Sequence, residues 1–375
     1  MRKSKTVLGD ICKITMGQSP DSSTYHTTNI GLPFYQGNAD FGELYPKTRI
    51  WCSRPQKIAE PENILLSVRA PIGALNIAKE KCCIGRGLAA IAPHKNFCFN
   101  KYLFYILKYK HNELNARGTG STFKAINKSI LNDLPIDIYP IDRQKRIAAI
   151  LDKATELIAL RKQQIQKLDL LVKSRFIEMF GNPVSNDRNW DTKNLSELGE
   201  LNRGISKHRP RNAPELLGGN YPLIQTSEIA AAELYVTKYT STYSELGYQQ
   251  SKIWPKGTLC ITIAANIAKT AILKFDACFP DSVVGFISDS KTNQLFIHFW
   301  FSFFQKILEE QAPESAQKNI NLQILRALQV INPPLSLQNE FAAFVEQVEK
   351  TKSILQQSLE KLELNYKALM QTYFG

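Results

Sequence analysis

The sequence lacks the strings that mark the commoner catalytic centres. It has no GxxxxGK[ST] to grip a nucleotide phosphate, no HExxH, and no metal-ligand spacing among its five histidines. Cysteine is scarce: seven residues, an odd number, with one adjacent pair at Cys82-Cys83 and no CxxC. That count excludes a disulfide framework and a zinc ribbon, and fits reduced thiols in a cytoplasm. Long apolar runs are missing as well. The most apolar stretch, Leu295 to Phe304, is broken by His298 and Ser302 and reaches about half the length of a spanning helix. The basic opening, Met1-Arg-Lys-Ser-Lys5, leads into no apolar segment of the kind a signal peptide needs. These absences predict a soluble, cytoplasmic chain with no membrane partner.

Acid is the minority charge, with 34 Asp and Glu against 47 Lys and Arg, a net of +13 over 375 residues. At roughly 100–200 residues per domain, the length predicts two or three domains. Apolar residues make up 43% and phenylalanine alone contributes 19, enough to fill real cores and exclude wholesale disorder. A basic excess laid over an ordinary globular composition points first to nucleic acid.

The chain repeats itself. Lys167-Leu168-Asp169-Leu170 closing at Phe180-Gly181 matches Lys361-Leu362-Glu363-Leu364 closing at Phe374-Gly375, an offset of 194. Upstream, Gln144 matches Gln338, Ala148-Ala149 matches Ala342-Ala343, Pro140 matches Pro334, and Lys124 and Ile126 match Lys318 and Ile320. Nearer the N-terminus the match decays but persists, as in Leu8-Gly9-Asp10-Ile11 against Leu198-Gly199-Glu200-Leu201. A unit this long is a duplicated domain rather than a solenoid repeat.

Each copy ends in a heptad-patterned helix. In the first, Leu151, Ile158, Ile165, Leu168 and Val172 carry the apolar seam, with Arg161 and Arg175 intruding. In the second it runs through Val345, Leu355, Leu359, Leu362 and Leu369, with Lys352 its one polar interruption. Starting at Arg143 and Leu337 and stopping at Gly181 and Gly375, each helix spans about 38 residues, roughly 55 Å. The economical partner for such a seam is the other copy's helix, and a helix of a second chain is the alternative.

The front part of each copy reads as a mixed α/β recognition domain. Short buried strands are expected at Asn63–Val68 and Gly87–Ile91, and again at Thr258–Ile263 and Ser282–Phe286. Aromatic helical stretches follow at Tyr102–Tyr109 and Leu295–Phe304, with their rings in the core. The rest predicts a small sheet carrying long surface loops, where binding residues usually sit.

Three strings imitate functional motifs. Gly118-Thr-Gly-Ser-Thr122 is glycine-rich but lacks a phosphate-gripping lysine. Asn332-Pro-Pro-Leu335 has leucine where amino-methyltransferases place an aromatic, and reads as a helix entry. Pro280-Asp281 with Asp289-Ser290-Lys291 resembles a Mg²⁺-dependent nuclease string, but its spacing is short and copy one has no acidic pair there. The chain is expected to be non-catalytic.

Gly120-Ser-Thr-Phe-Lys-Ala-Ile126, Leu134-Pro-Ile-Asp-Ile-Tyr-Pro140 and Arg143-Gln144-Lys-Arg-Ile147 resemble the domain-to-helix junction of specificity subunits of type I restriction–modification enzymes. Val68-Arg69-Ala-Pro-Ile-Gly73 and Ile84-Gly-Arg-Gly-Leu88 are similar to that family's RG.IG…GL strands. The resemblance covers the whole chain twice over. Arg143 stands where glutamate is usual, and Ala316-Gln317 replace Thr122-Phe123 in the second copy.

The resemblance implies an α+β fold, a tandem duplication of a globular DNA target recognition domain, each followed by a long helix. The two helices would form an antiparallel coiled coil. Its domains would be residues 1–139 and 182–333, with spacer helices over 140–181 and 334–375. The chain would read a bipartite, asymmetric site in double-stranded DNA, one domain per half-site, and dock two methyltransferase subunits. It would bind no cofactor itself: S-adenosylmethionine belongs on the methyltransferases, and ATP and Mg on the motor–nuclease restriction subunits. Inserting a heptad near Gln163 would lengthen the spacer by about 10 Å, roughly three base pairs. A stand-alone nuclease or methyltransferase, or a coiled-coil scaffold for protein partners, are the competing readings.

Expected DNA contacts are Arg69, Arg86, Arg117 and Lys124 in copy one, and Lys318 as the counterpart of Lys124. In copy two they are Arg203, Lys207, Arg209 and Arg211, a basic run with no acid between Glu200 and Glu215. Arginine reads guanine bidentately, whereas lysine more often holds phosphate. Charge divides unevenly. Residues 1–181 hold 28 basic and 15 acidic side chains, and residues 182–375 hold 19 of each. A strong, salt-sensitive grip is expected of the first copy, and reliance on the Arg203–Arg211 cluster of the second.

Overall fold

The computed structural model describes residues 3–119, 124–264, 267–311 and 320–375. The chain divides into two units. One comprises Met1–Lys162 together with Gln357–Gly375, the other Gln163–Gln356.

In the first unit, an antiparallel sheet runs in the order Cys12–Met16, Leu88–Pro93, Ile64–Ser67, Leu75–Ile77. The apolar runs that mark its central strands are continuous because both faces are covered. Ile64, Leu66, Ala89 and Ile91 pack with the helix Asn100–Tyr109, whereas Leu65, Leu88 and Ala90 pack with Tyr35, Ala59 and Ile84. Tyr35, Ala59 and Ile84 belong to a second sheet built from Tyr25–His26, Trp51–Cys52, Leu32–Tyr35, Cys82–Ile84 and Ile58–Ala59. This second sheet replaces much of what the sequence presented as loop. Three of its five strands are two residues long, too short for a period-two pattern to register.

The second unit repeats the plan. Gly199–Arg203, Val283–Ser288, Leu259–Thr262, Thr270–Leu273 and Tyr235–Val236 form one sheet. Ser241–Tyr243, Leu217–Leu223, Ala277–Cys278 and Ile253–Trp254 form the other. The aromatic helix is Gln294–Gln311, and its Phe296, Trp300 and Phe301 are fully buried.

The long helices are Ile141–Phe180 and Leu335–Phe374, 40 residues each. They begin two residues before the expected Arg143 and Leu337. The Pro140 carbonyl accepts from the N–H groups of Arg143 and Gln144, and the Pro334 carbonyl from those of Leu337 and Gln338, so the first turn closes immediately after each proline. In the first unit, Leu151 and Met370 share a core with Tyr102, and Lys162 pairs with Glu363 at 2.8 Å. In the second unit, Val172 and Phe176 pack with Phe341 and Val345. There Asp169 meets Lys352 and Arg175 meets Glu340, a sense of pairing that is antiparallel. Of the seam positions, Leu151, Ile165, Val172 and Val345 are buried. Ile158, Leu168, Leu355, Leu359, Leu362 and Leu369 are half-buried. Lys352, which interrupts the pattern, is itself buried. Its ammonium lies 2.6 Å from Asp169 and also contacts Glu233.

All seven cysteines are free and buried, and burial pushes the Cys82 and Cys98 thiols up to about 12, so they are poor nucleophiles at neutral pH. Among the described residues, no helix is long and apolar enough to cross a membrane.

Candidate nucleic-acid interface

The strand Cys82–Ile84 passes into Leu88–Pro93 through Gly85-Arg86-Gly87. A Cβ on Gly87 would sit 2.4 Å from the Gln36 carbonyl oxygen, so only glycine lets the two backbones approach this closely. The tight passage leaves Arg86 on the wall of a cavity of about 500 Å³, with Arg69, Gln36, Asn38, Arg49 and Ser19 around it. The Arg86 N–H donates to Ser19 Oγ at 3.2 Å. Asp40 organises the opposite wall: it accepts from the Gln36 N–H at 2.8 Å and holds Arg49 at 2.5 Å. The cavity thus presents guanidinium groups beside amide and hydroxyl side chains, the donors and acceptors suited to base edges and phosphates.

The sequence-predicted residues separate into groups. Arg69 and Arg86 come together in this cavity. Arg117 is engaged elsewhere, donating through Nε and Nη2 to Glu113 on its own helix at 3.0 and 2.7 Å. Hydrogen bonds from Lys110 and Arg117 outweigh the desolvation of Glu113 and hold its carboxyl below the usual range. Lys124 is exposed. Lys318 lies outside the described residues, as does Gly120–Phe123 of the junction motif.

In the second unit, the basic run is not a free cluster. Arg209 and Arg211 both pair with the Asp281 carboxylate, and Arg203 Nε donates to the Asp281 carbonyl at 2.9 Å. Lys207 is exposed, while its N–H and that of His208 donate to Gln250 Oε1 at 2.6 and 2.9 Å. The run is thus free of acid along the sequence but not in space. The balancing acid comes from the loop before Val283–Ser288, about 70 positions away in sequence and beside the run in space. The same contact engages the aspartate of the nuclease-like string, Asp281, with two arginines. Among the described residues, no group of three or more His, Cys, Asp or Glu could hold a metal ion.

Asp281 occupies the place of Arg86. It follows Ala277–Cys278 and precedes Val283–Ser288, as Arg86 follows Cys82–Ile84 and precedes Leu88–Pro93. One copy thus offers an arginine from this turn, and the other offers an aspartate that gathers arginines from a neighbouring loop. Arg49, Asp40, Gln36 and Gln250 carry no signal in the sequence, and Asp281 stands there only as part of the nuclease-like string. The signal for Asp281 is the pairing of its turn with that of Arg86 at an offset of 195, visible only once the strands are placed.

Residues 3–170 and 187–364 each match the type I restriction modification DNA specificity domain. The chain belongs to that family. A putative type I restriction enzyme MjaX specificity subunit of Methanocaldococcus jannaschii is 42% identical over 157 residues, covering 42% of this chain and 37% of the relative. The MjaIX specificity subunit of the same organism is 32% identical over 169 residues, 40% of this chain and 38% of the relative. The chain therefore spans well under half the length of these two relatives in the matched regions. The EcoBI specificity subunit of Escherichia coli is 22% identical over 319 residues, covering 77% of this chain and 67% of that subunit. Two solved structures share the fold. The S subunit of a type I restriction–modification system from M. genitalium gives a TM-score of 0.63 at 14% identity, covering 100% of this chain and 96% of its own. A chain from a study of complex assembly in the type I restriction–modification system gives 0.64 at 15% identity, covering 100% and 97%. Membership of the family matches the α+β, twice-repeated architecture expected from the sequence.

Proposed function

We propose that this chain is the addressing subunit of a type I restriction–modification complex, reading a bipartite, asymmetric site in double-stranded DNA with one unit per half-site. The observation that carries the reading is the double match to a DNA specificity domain, one on each unit. The first unit contacts DNA through Arg69 and Arg86, with Lys124 on phosphate. The second uses Arg203, Lys207, Arg209 and Arg211, with Asp281 setting the posture of three of them. In this reading the chain carries out no chemistry. Its long helices dock two methyltransferase subunits, which hold S-adenosylmethionine, and a motor–nuclease subunit with ATP and Mg cuts DNA. The complex works in the cytoplasm.

Sequencing methylated adenines in cells that express the methyltransferase with or without this chain tests the reading. Methylation confined to a split site, and lost when the chain is absent, is the expected result. Methylation or cleavage by the purified chain alone would overturn it.

A further inference from the structure

The tripeptide Glu43-Leu44-Tyr45 recurs as Glu233-Leu234-Tyr235. The two are structural counterparts: the Leu44 carbonyl accepts from the Ile77 N–H, and the Leu234 carbonyl from the Ile272 N–H, both at 2.9 Å. Their surroundings differ. In the second unit Leu234 is buried, Lys274 lies over the Tyr235 ring, and Glu233 grips Lys352 of the long helix. Lys352 also takes Asp169, and its side chain is 4% exposed. The tripeptide is thereby closed down onto the helix pair.

In the first unit the counterpart of Lys352 is Ile158, which has no charge to offer. The counterpart of Asp169 is Glu363, engaged by Lys162 one turn further along. Glu43 has no ion pair among the described residues. Leu44 and Tyr45 are 39% and 41% exposed. Between them and the helices opens a cavity of about 1,090 Å³, walled by Phe104, Ile158 and Tyr366 and rimmed by Glu43, Glu62 and four lysines, of which Lys101 pairs with Asp152, Lys162 pairs with Glu363 and Lys108 lies over the Tyr366 ring, with Lys367 beside them. That volume lies above the usual range for small-molecule sites, about 300–1,000 Å³, and suits a length of polypeptide.

We propose that this groove docks a segment of the partner methyltransferase that places apolar side chains against Leu44, Tyr45 and Phe104 and a lysine or arginine against Glu43. The proposal rests on the reading that a methyltransferase is the partner. The second unit supplies the precedent, because there the chain's own Lys352 satisfies the equivalent glutamate. Docking is therefore unequal: the first unit takes in a foreign cation, and the second is sealed by its own.

Photocrosslinking of the full chain in complex with its methyltransferase tests this. Tyr45→Cys is labelled with benzophenone maleimide, the native thiols being buried. Irradiation is expected to join position 45 to a methyltransferase peptide in which Lys or Arg is flanked by apolar residues. Ile158→Lys, which copies the second unit's closure, is expected to abolish that link and weaken partner binding about tenfold. Glu43→Gln, an exposed change that leaves the core intact, is expected to weaken binding about threefold. A link confined to the chain itself, a link to a second copy, or one to a partner peptide without a cation would overturn the groove while leaving the partner reading in place. A link that survives both substitutions would do the same. A chain that binds no methyltransferase at all would overturn both.

Discussion

Gln144 Oε1 accepts a hydrogen bond from the Phe99 N–H at 2.8 Å, while its Nε2 donates to the carbonyls of Phe97 and Tyr139 at 2.9 and 2.7 Å. Gln338 repeats the device: its Oε1 accepts from the Asn293 N–H at 2.9 Å, and its Nε2 donates to the Pro333 carbonyl at 2.8 Å. Both side chains are fully buried. Each amide ties the start of a long helix to the start of an aromatic helix, so the strict repetition of Gln144 at Gln338 has a structural cause.

Gln144→Leu leaves one N–H and two carbonyls without partners, and unpaired buried groups cost about 1–3 kcal/mol each. The expected loss is at least about 3 kcal/mol, read as a lower midpoint in urea denaturation of the full chain. An unchanged midpoint would show that water replaces the amide.

His298 is buried, hydrogen-bonded to Thr270 at 3.0 Å, and burial lowers its pKa from 6.5 to about 4. A depressed histidine stabilises the fold above its unfolded pKa, and that stability is lost as pH falls from 6.5 towards 4. The shift corresponds to about 3 kcal/mol at most. The counterpart in the first unit is Phe104, which does not titrate. Calorimetry is expected to show the second unit's transition dropping between pH 6.5 and 4.5 while the first unit's moves less. His298→Phe should remove the difference, and a difference that persists would assign it to other groups.

Asp281 balances Arg209 and Arg211. Asp281→Asn is expected to raise affinity for DNA of any sequence and steepen its salt dependence by about one unit of slope, with selectivity at one half-site falling. Arg86→Ala should weaken binding through the other half-site only. Titration of both variants against the cognate site and scrambled DNA at two salt concentrations checks this. Uniform loss for Arg86→Ala would mark a phosphate contact.

Burial opposes the charge on Lys352, but the hydrogen bonds to Asp169 and Glu233 outweigh it and raise its pKa. Lys352→Ala leaves a buried gap beside Asp169 and Glu233, which both reach solvent, and is expected to destabilise the second unit by about 2 kcal/mol, chiefly through the lost packed stem. Lys352→Met restores the volume without the charge and should recover most of that loss. Equal loss in both variants would mean that the charge, and not the packed stem, holds the site.

The elements legible in the sequence were those whose signal is long or repeated. The heptads of Leu151–Val172 and Val345–Leu369 survive intrusions because the pattern runs for many turns. The four buried strands showed as unbroken apolar runs, since both faces of each sheet are covered. What stayed hidden was short or distant. Trp51–Cys52 and Ile58–Ala59 become strands only by pairing with neighbours already in place. Asp281 reads as an incidental loop charge until the fold brings Arg209 and Arg211 to it. Arg117 reads like Arg86 in the sequence, and the fold adds a glutamate one turn away, Glu113, to which its guanidinium donates.

The second unit is one continuous stretch, whereas the first is finished by Gln357–Gly375, where Phe374 packs on Tyr102 and Lys3 Nζ donates to the Gly375 carbonyl. A ribosome delivers all of the second unit before it delivers the last helical turns that the first requires. Domains usually mature from the N-terminus onward during synthesis. Here the unit begun first has its core completed only when residues 357–375 have been made, after all of the second unit.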